Sequence, residues 1–130
     1  MEEMEQGASH ELTRFCPAYH RAVELIGRRW TGAILRALLT DVTRFNELAA
    51  AVPGLSDRML AERLRELEAE GVVVRTVIPE SPVRVEYSLT EKGLALESVV
   101  RAVAGWADAW AATAPCHDAL ADESARMTTA

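Results

Sequence analysis

The segment Ser56–Glu70, SDRMLAERLRELEAE, constrains the fold most, because its apolar residues recur at helical spacing. At about 100° per residue, Leu60, Leu64 and Leu67 form one narrow stripe. The opposite side of the predicted helix is polar or small, and it comprises Arg58, Glu62, Arg65 and Ala69. The Ser56 hydroxyl is suited to accept from amides of the first turn, and Gly71 supplies a stop. The pattern therefore predicts a helix with one buried and one exposed face.

A shorter helical pattern, TRFNELAAAV, precedes this segment, with Thr43 as its predicted N-cap. Phe45, Leu48 and Val52 recur at helical spacing and are predicted to be buried. Pro53-Gly54 then breaks the chain sharply before the next helix begins. Two helices joined by such a turn have the shape of a helix-turn-helix.

Length and charge set further limits. The 130 residues fit one soluble domain with a real core. No apolar run approaches the roughly 20 residues that span a bilayer, and the acidic start does not resemble a secretory signal, so the sequence predicts a cytoplasmic protein without a membrane partner. The net charge is −6, but residues 14–84 carry eleven arginines against nine acidic residues. Any surface for nucleic acid is therefore a local arginine patch.

A hairpin is predicted directly after the helix-turn-helix. Alternating apolar residues mark its second strand, namely Val83, Val85, Tyr87 and Leu89, and VVVRTVI is the partner strand. The joining PESP reads as a projecting tip. A hairpin in this position is a wing. Arg75 and Arg84 then have two open roles: contact with a nucleic-acid backbone or minor groove, or surface pairing of Arg84 with Glu80 or Glu86.

The last predicted helix begins at Thr90 and runs to about residue 112. Its apolar residues are spaced as in a coiled-coil seam: Leu96, Val99, Val103, Trp106 and Trp110. We interpret the seam as a homodimer interface, with folding back onto the chain's own core as the alternative. Tyr19, His20, Trp106 and Trp110 are candidates for lining a small-molecule pocket, against the simpler reading of the aromatic rings as packing in the dimer core.

The N-terminal part contains a helix that starts at Pro17, with Tyr19 and Val23 in its predicted buried stripe. Cys16 consequently lies at a helix N-terminus, where free amides and the helix dipole favour a thiolate. The alternative is a buried, inert cysteine. A zinc site made by Cys16, His20, Cys116 and His117 across a dimer is a further hypothesis. No catalytic motif and no cofactor motif is present, so an enzyme is not expected.

Several of these motifs occur together in a familiar order: CP, ELIGRRW, ILRALL, RFNELAAAVPGLSDRMLAERLRELEAEGVVVR, PVRVEYSLTEKG and GWADAW. In this combination the chain resembles the HxlR-type family of winged helix-turn-helix transcriptional regulators over residues 14–112. Residues 1–13 and 113–130 are then predicted to be a flexible N-terminal tail and a C-terminal tail. One departure is Arg28-Arg29, where the family usually has Gly or Asp followed by Lys.

The resemblance implies an α+β, mostly α fold, with a two-stranded wing and with N- and C-terminal helices that form a dimer interface. It implies a homodimer that binds a pseudo-palindromic double-stranded DNA operator, most commonly as a repressor. It also implies that the Cys-Pro cysteine, Cys16, senses electrophiles or oxidants in some members. An intersubunit disulfide between Cys16 and Cys116 is conceivable on the same basis.

In a winged helix the first turn of the second helix enters the major groove. Arg58 is the best candidate for a base reader, since a guanidinium can bond two acceptors of guanine. Asp57 either accepts from cytosine or stabilises the helix N-terminus. The full set of predicted DNA-binding residues is Arg44, Ser56, Asp57, Arg58, Met59, Arg63, Arg65, Arg75 and Arg84.

Overall fold

The computed structural model describes residues 12 and 14–111. Over this range the helices are α1 (Pro17–Ile26), α2 (Thr31–Leu39), α3 (Phe45–Ala51), α4 (Asp57–Ala69), α5 (Glu91–Leu94) and α6 (Glu97–Trp110), and the strands are β1 (Val73–Ile78) and β2 (Arg84–Leu89). The predicted tails, which include Cys116 and His117, lie outside the described residues except for Leu12. Their boundaries stay predictions.

The core lies where α2, α3 and α4 meet the base of the wing. Its fully buried side chains are Ile34, Leu35, Leu48, Leu60, Leu64, Leu67 and Val72. The leucine stripe of α4 faces inward as its spacing predicts, and burial of each such side chain contributes about 1.5–3 kcal/mol. This stripe fixes which side of α4 remains exposed.

The wing is a two-stranded antiparallel sheet in which Val73 pairs with Leu89 and Ile78 pairs with Arg84. An isolated antiparallel bridge joins Arg44 to Glu86, and the Tyr87 amide donates to the Thr43 carbonyl at 2.8 Å. The prediction that Thr43 caps α3 is therefore wrong, because the extended backbone at 43–44 pairs with β2. Arg44 is the N-cap residue, without a side-chain capping bond.

The predicted single terminal helix is divided into α5 and α6. Thr90 caps the short α5 by accepting from the Gly93 amide at 3.1 Å, and its hydroxyl also reaches the Val72 carbonyl at 3.2 Å. Lys92 Nζ donates to the Glu70 carbonyl at 2.6 Å. These bonds hold α5 against the end of α4, and α6 starts again at Glu97 with Leu96 as its N-cap.

The helix α1 contains no buried residue, so the predicted burial of Tyr19 and Val23 is wrong for the single chain. Its start and end agree with the prediction, since Pro17 is the first helical residue and Gly27 is the C-cap. The remaining elements follow the predicted order. The α+β, mostly α winged helix-turn-helix is therefore confirmed. None of the described helices is long and apolar enough to cross a membrane.

Candidate nucleic-acid interface

The turn before α4 and its first residues present the helix N-terminus to solvent. Gly54 has φ +87°, a conformation that favours glycine, and it closes the turn that begins at Pro53. Ser56 is the N-cap, and its Oγ accepts from the Met59 amide at 3.1 Å. Its hydroxyl hydrogen remains free to donate outward. Asp57 is exposed in the first turn, where its charge complements the helix dipole.

The exposed face of α4 carries two arginines, Arg58 and Arg65. The Arg58 side chain is 90% exposed, and its Nε lies 3.9 Å from the Glu62 carboxylate. An exposed ion pair of this length contributes at most about 1 kcal/mol. The Arg58 guanidinium can therefore turn away from Glu62 toward a base edge or a phosphate at little cost.

Two of the predicted DNA-binding residues on α4 point elsewhere. Met59 is half-buried and packs against the core. Arg63 is only 6% exposed, and its guanidinium binds the Arg29 carbonyl and the Glu66 carboxylate. Arg63 is therefore not available as a DNA contact, because its donors bind groups inside the fold. Its helical position, three residues after Leu60 and four before Leu67, already placed it beside the buried stripe.

The wing arginines differ from each other. Arg75 is exposed. Arg84 is one-third exposed, with Nη2 3.4 Å from Glu80 and Nε 3.2 Å from Glu86, the latter without hydrogen-bond geometry. Of the two roles that the sequence left open for Arg84, the structure shows the surface pairing with Glu80 and Glu86. Arg44 is exposed at the start of α3 and lines an open cleft with Arg84 and Pro82.

The predicted sensor residue Cys16 is the N-cap of α1, and its thiol is exposed in the single chain. Phe15 packs near the His20 ring, with 5.4 Å between the ring centroids. His20 Nε2 lies 3.3 Å from Glu24 Oε2. In the described part of the chain no group of three or more His, Cys, Asp or Glu residues is placed to hold a metal ion. The zinc hypothesis also needs Cys116 and His117, which lie outside that part.

The predicted dimer seam is divided between core and solvent. Leu96 packs partly against the core. Val99, Val103, Trp106 and Trp110 are exposed, and the two tryptophans are 68% and 76% exposed. Phe15, just before α1, and Tyr19 and Val23 on α1 add exposed apolar area. Apolar residues exposed in such number on two helices mark an interaction surface.

The predicted ligand pocket does not coincide with the cavity beside α1. This cavity, of about 310 Å³, is lined by Ala18, Arg21, Ala22, Leu25, Ile26, Glu70, Val72, Lys92 and Leu96. Tyr19, His20, Trp106 and Trp110 are not among these residues and are all exposed. In the single chain these four side chains therefore lie on the surface and do not line a pocket.

The sequence matches known proteins over most of its length. A family model described as the HxlR-like helix-turn-helix matches residues 25–115. YvaP of Bacillus subtilis, named an HTH-type transcriptional regulator, is 50% identical over 98 residues, which are 75% of this chain and 91% of YvaP. The HTH-type transcriptional regulator YodB of the same organism is 47% identical over 93 residues, which are 72% of this chain and 83% of YodB.

Solved structures have the same fold. Reduced YodB superposes with a TM-score of 0.67 at 45% identity, covering 75% of this chain and 96% of that chain. Quinone-bound YodB gives 0.64 at 42% identity, covering 74% and 100%. The redox regulator HypR in its oxidised form gives 0.68 at 38% identity, covering 75% and 100%. The relatives are transcriptional regulators and not enzymes. Because the family model matches residues 25–115 and the fold is a winged helix-turn-helix, the chain belongs to the HxlR-like helix-turn-helix family.

Proposed function

We propose that this chain is a homodimeric transcriptional regulator that reads a double-stranded operator with α4 and is switched by modification of Cys16. The observation that carries the proposal is the capped first turn of α4, with Asp57 and a 90% exposed Arg58 opposite the buried leucine stripe. A helix of about 10–12 Å diameter fits the major groove of B-DNA, and its N-terminal residues lie nearest the base edges. The family membership supports DNA as the partner.

In this proposal each residue has a distinct task. Arg58 reads guanine through its two outward donors, and Ser56 donates its hydroxyl to a phosphate or a base. Arg65, Arg44 and Arg75 are exposed and contact phosphates, where they set the register of the protein on the duplex. Arg84 contributes less, because Glu80 and Glu86 already neutralise much of its charge.

The homodimer is supported by the exposed apolar side chains of α1 and α6. A two-fold dimer presents two copies of α4 to half-sites about 34–36 Å apart, so its operator is pseudo-palindromic. Binding there blocks access to the promoter, which makes repression the proposed outcome. The −6 net charge fits this arrangement, since attraction to DNA is confined to the arginine surface around α4.

The switch is proposed at Cys16 because its thiol is exposed at a helix N-terminus on the dimer-forming surface. A quinone is a suitable electrophile: the Cys16 sulfur adds to a ring carbon, a C–S bond forms, and the thiol hydrogen is retained on the resulting hydroquinone. The solved quinone-bound form of YodB and the oxidised form of HypR support this kind of switch. The alternative is reversible binding of a small molecule near α1 and α6, for which the exposed side chains of Tyr19, Trp106 and Trp110 are the support.

A gel-shift series tests both parts. The purified protein is titrated against the DNA upstream of its own coding region and against unrelated DNA, at several salt concentrations. We expect a complex specific to the upstream DNA. A failure to find preferential binding there or in a selection from random sequences, at every salt concentration, would contradict the regulator.

The same titration is then repeated after treatment with methyl-benzoquinone. Wild type and Cys116→Ser are expected to lose the complex, whereas Cys16→Ser keeps it. Cys116→Ser is the matched control, because it removes the other thiol. Mass spectrometry identifies the adduct. Equal loss in wild type and Cys16→Ser would exclude Cys16 as the sensor, and reversal by dilution without an adduct would favour the small-molecule alternative.

A further inference from the structure

The segment 27–30, between α1 and α2, is in contact with α4 and with the turn before α4. Gly27 closes α1 by donating to the Val23 carbonyl at 2.7 Å. Trp30 then adopts a left-handed backbone with φ 78°, and Arg29 stacks on its ring with Cζ 5.0 Å from the ring centroid. The same ring lies against Gly54, where an added β-carbon would be 3.3 Å from Trp30 Cη2. The half-buried Trp30 ring thus connects this segment to the turn at Gly54.

The second contact is made by Arg63, whose side chain is 7% exposed. Its Nε donates to the Arg29 carbonyl at 3.0 Å, and its Nη1 lies 2.9 Å from Glu66 Oε2. Arg28 Nη2 approaches the same carboxylate oxygen at 3.3 Å. Glu62 Oε1 is a more distant partner, 3.8 Å from Arg63 Nη1. A buried guanidinium is costly unless it is paired, so the position of Arg63 depends on these partners. One of those partners is the backbone of the segment 27–30 and not of α4 itself.

The helix α1 is attached to the domain at its C-terminal end. It contains no fully buried residue, but Leu25 and Ile26 in its last turn are half-buried and pack against the core, and Arg21 lies 3.8 Å from Glu70. A movement of α1 is therefore passed to the chain that directly follows it. That chain holds α4 through Arg63 and holds the preceding turn through Trp30. A rigid helix held at these two points moves as a unit, and its exposed first turn moves with it.

We infer that Arg63 is a positioning residue, and that the segment 27–30 is the connection by which the position of α1 sets the position of α4. The effect on DNA rests on the proposed operator-reading function, whereas the connection itself is a property of the free protein. Arg63 does not touch the operator in this assignment. It determines whether Arg58 and its neighbours are presented at the correct place.

The first test uses hydrogen exchange in the free protein. In Arg63→Gln, the amides of Gly27 and Thr31 are expected to exchange at least about tenfold faster, because a charged hydrogen bond that holds the segment is lost. Leu64→Ala is the matched control, since it weakens packing of the same helix but leaves the Arg63 hydrogen bonds in place. Arg63→Lys keeps the charge and is expected to lie between Arg63→Gln and wild type. Equal exchange at Gly27 and Thr31 in Arg63→Gln and Leu64→Ala would overturn the inference, whatever the DNA results.

The second test measures how a change at α1 reaches the operator. All proteins carry Cys116→Ser, so that N-ethylmaleimide alkylates only Cys16, and operator Kd is measured before and after alkylation. In the otherwise wild-type protein and in Leu64→Ala, Kd is expected to rise by a factor within the usual coupling range of about 5–150. In Arg63→Gln that factor falls toward one, and Arg63→Lys restores part of it.

Each outcome of the second test has a distinct meaning. The same factor in Arg63→Gln and in Leu64→Ala would overturn the role of Arg63. No change in Kd on alkylation of the wild type would overturn the connection from α1 to α4, although operator reading would stand. A wild-type protein that binds no operator before alkylation contradicts the proposed function, and the exchange measurement then still decides the role of Arg63.

Discussion

Arg58 and Arg63 lie on the same helix, and they differ in almost every physical respect. The Arg58 side chain is 90% exposed with one distant carboxylate, whereas Arg63 is buried and hydrogen-bonded on two sides. Both were predicted to contact DNA, Arg58 through the bases and Arg63 through the flanking phosphates. Spacing separates them, since residue 63 falls beside Leu60, Leu64 and Leu67. Charge alone was thus a poorer guide than position on the helix.

The residue-scale prediction concerns Arg58→Ala. Loss of a bidentate contact to guanine is expected to weaken operator binding by about 1–3 kcal/mol and to relax specificity at one base-pair position. The affinity for nonspecific DNA changes little, because the substitution removes only one positive charge near the phosphates. Competition gel shifts with operators substituted one position at a time measure both effects.

Arg101→Ala provides the control for Arg58→Ala. Arg101 is an exposed arginine of α6 that pairs with Glu97 at 2.8 Å, so its replacement also removes one positive charge. We expect its operator affinity to stay within about 0.5 kcal/mol of wild type. If Arg58→Ala bound every operator variant as wild type does, the assignment of Arg58 as a base reader would be wrong.

At the scale of elements, local signals located most boundaries. The cap at Ser56 and the stop at Gly71 each act over a few residues, and the structure agrees with them. The alternation predicted for the second strand holds only in part, because Tyr87 is buried but Val83 precedes β2 and is exposed. The division between α5 and α6 was missed because it is set by a tertiary contact. Thr90 and Lys92 bind backbone carbonyls at the end of α4 and in the chain that follows it, far away in sequence. Apolar periodicity does not record such bonds.

A glycine substitution tests that tertiary contact. A β-carbon added to Gly93 would overlap the Val72 carbonyl oxygen and lie 3.0 Å from Leu89 Cδ2. Gly93→Ala is therefore expected to lower the free energy of unfolding by about 1–3 kcal/mol, through displacement of α5 from the wing. Urea denaturation followed by circular dichroism measures the change.

Gly32→Ala is the matched substitution, because nothing lies within 4 Å of the added β-carbon in α2. Here the higher helix propensity of alanine is expected to raise stability by up to about 1 kcal/mol. Opposite signs for the two variants would support a docking contact at Gly93. Equal effects would show that α5 is not held by its backbone at this point.

At the scale of the whole molecule, the largest difference between sequence and structure lies on α1 and α6. The predicted burial of Tyr19 and Val23 is not realised within one chain, and the α6 seam that was predicted to be a homodimer interface is mostly exposed there. The spacing of apolar residues indicates that one face of a helix is apolar, but it does not indicate which surface packs against that face. In the proposed dimer, the partner chain packs against the exposed apolar faces of α1 and α6. The same reasoning explains why the core of the winged domain was predictable, since its partners all lie in one chain.

Trp106→Asp tests the proposed dimer interface, since Trp106 is 68% exposed in the single chain and belongs to the seam. A carboxylate placed without a partner in an apolar interface costs roughly 3 kcal/mol or more per protomer, so the dimer is expected to dissociate. Sedimentation equilibrium then reports half the wild-type mass. Operator affinity falls with it, because a monomer binds only one half-site, whereas the thermal unfolding of the winged domain persists.

The control for Trp106→Asp is Ser98→Asp, which adds the same charge to an exposed position of α6 away from the seam. It is expected to remain dimeric and to bind the operator as wild type does. Dissociation of both variants would point to a general effect of charge on α6. If Trp106→Asp stayed dimeric at micromolar concentration with unchanged operator affinity, the interface would lie on another surface, and the exposed tryptophans would need a different partner. Dissociation of Trp106→Asp alone, accompanied by loss of the operator complex, would tie the two-fold reading of DNA to the face that the chain leaves open on α6.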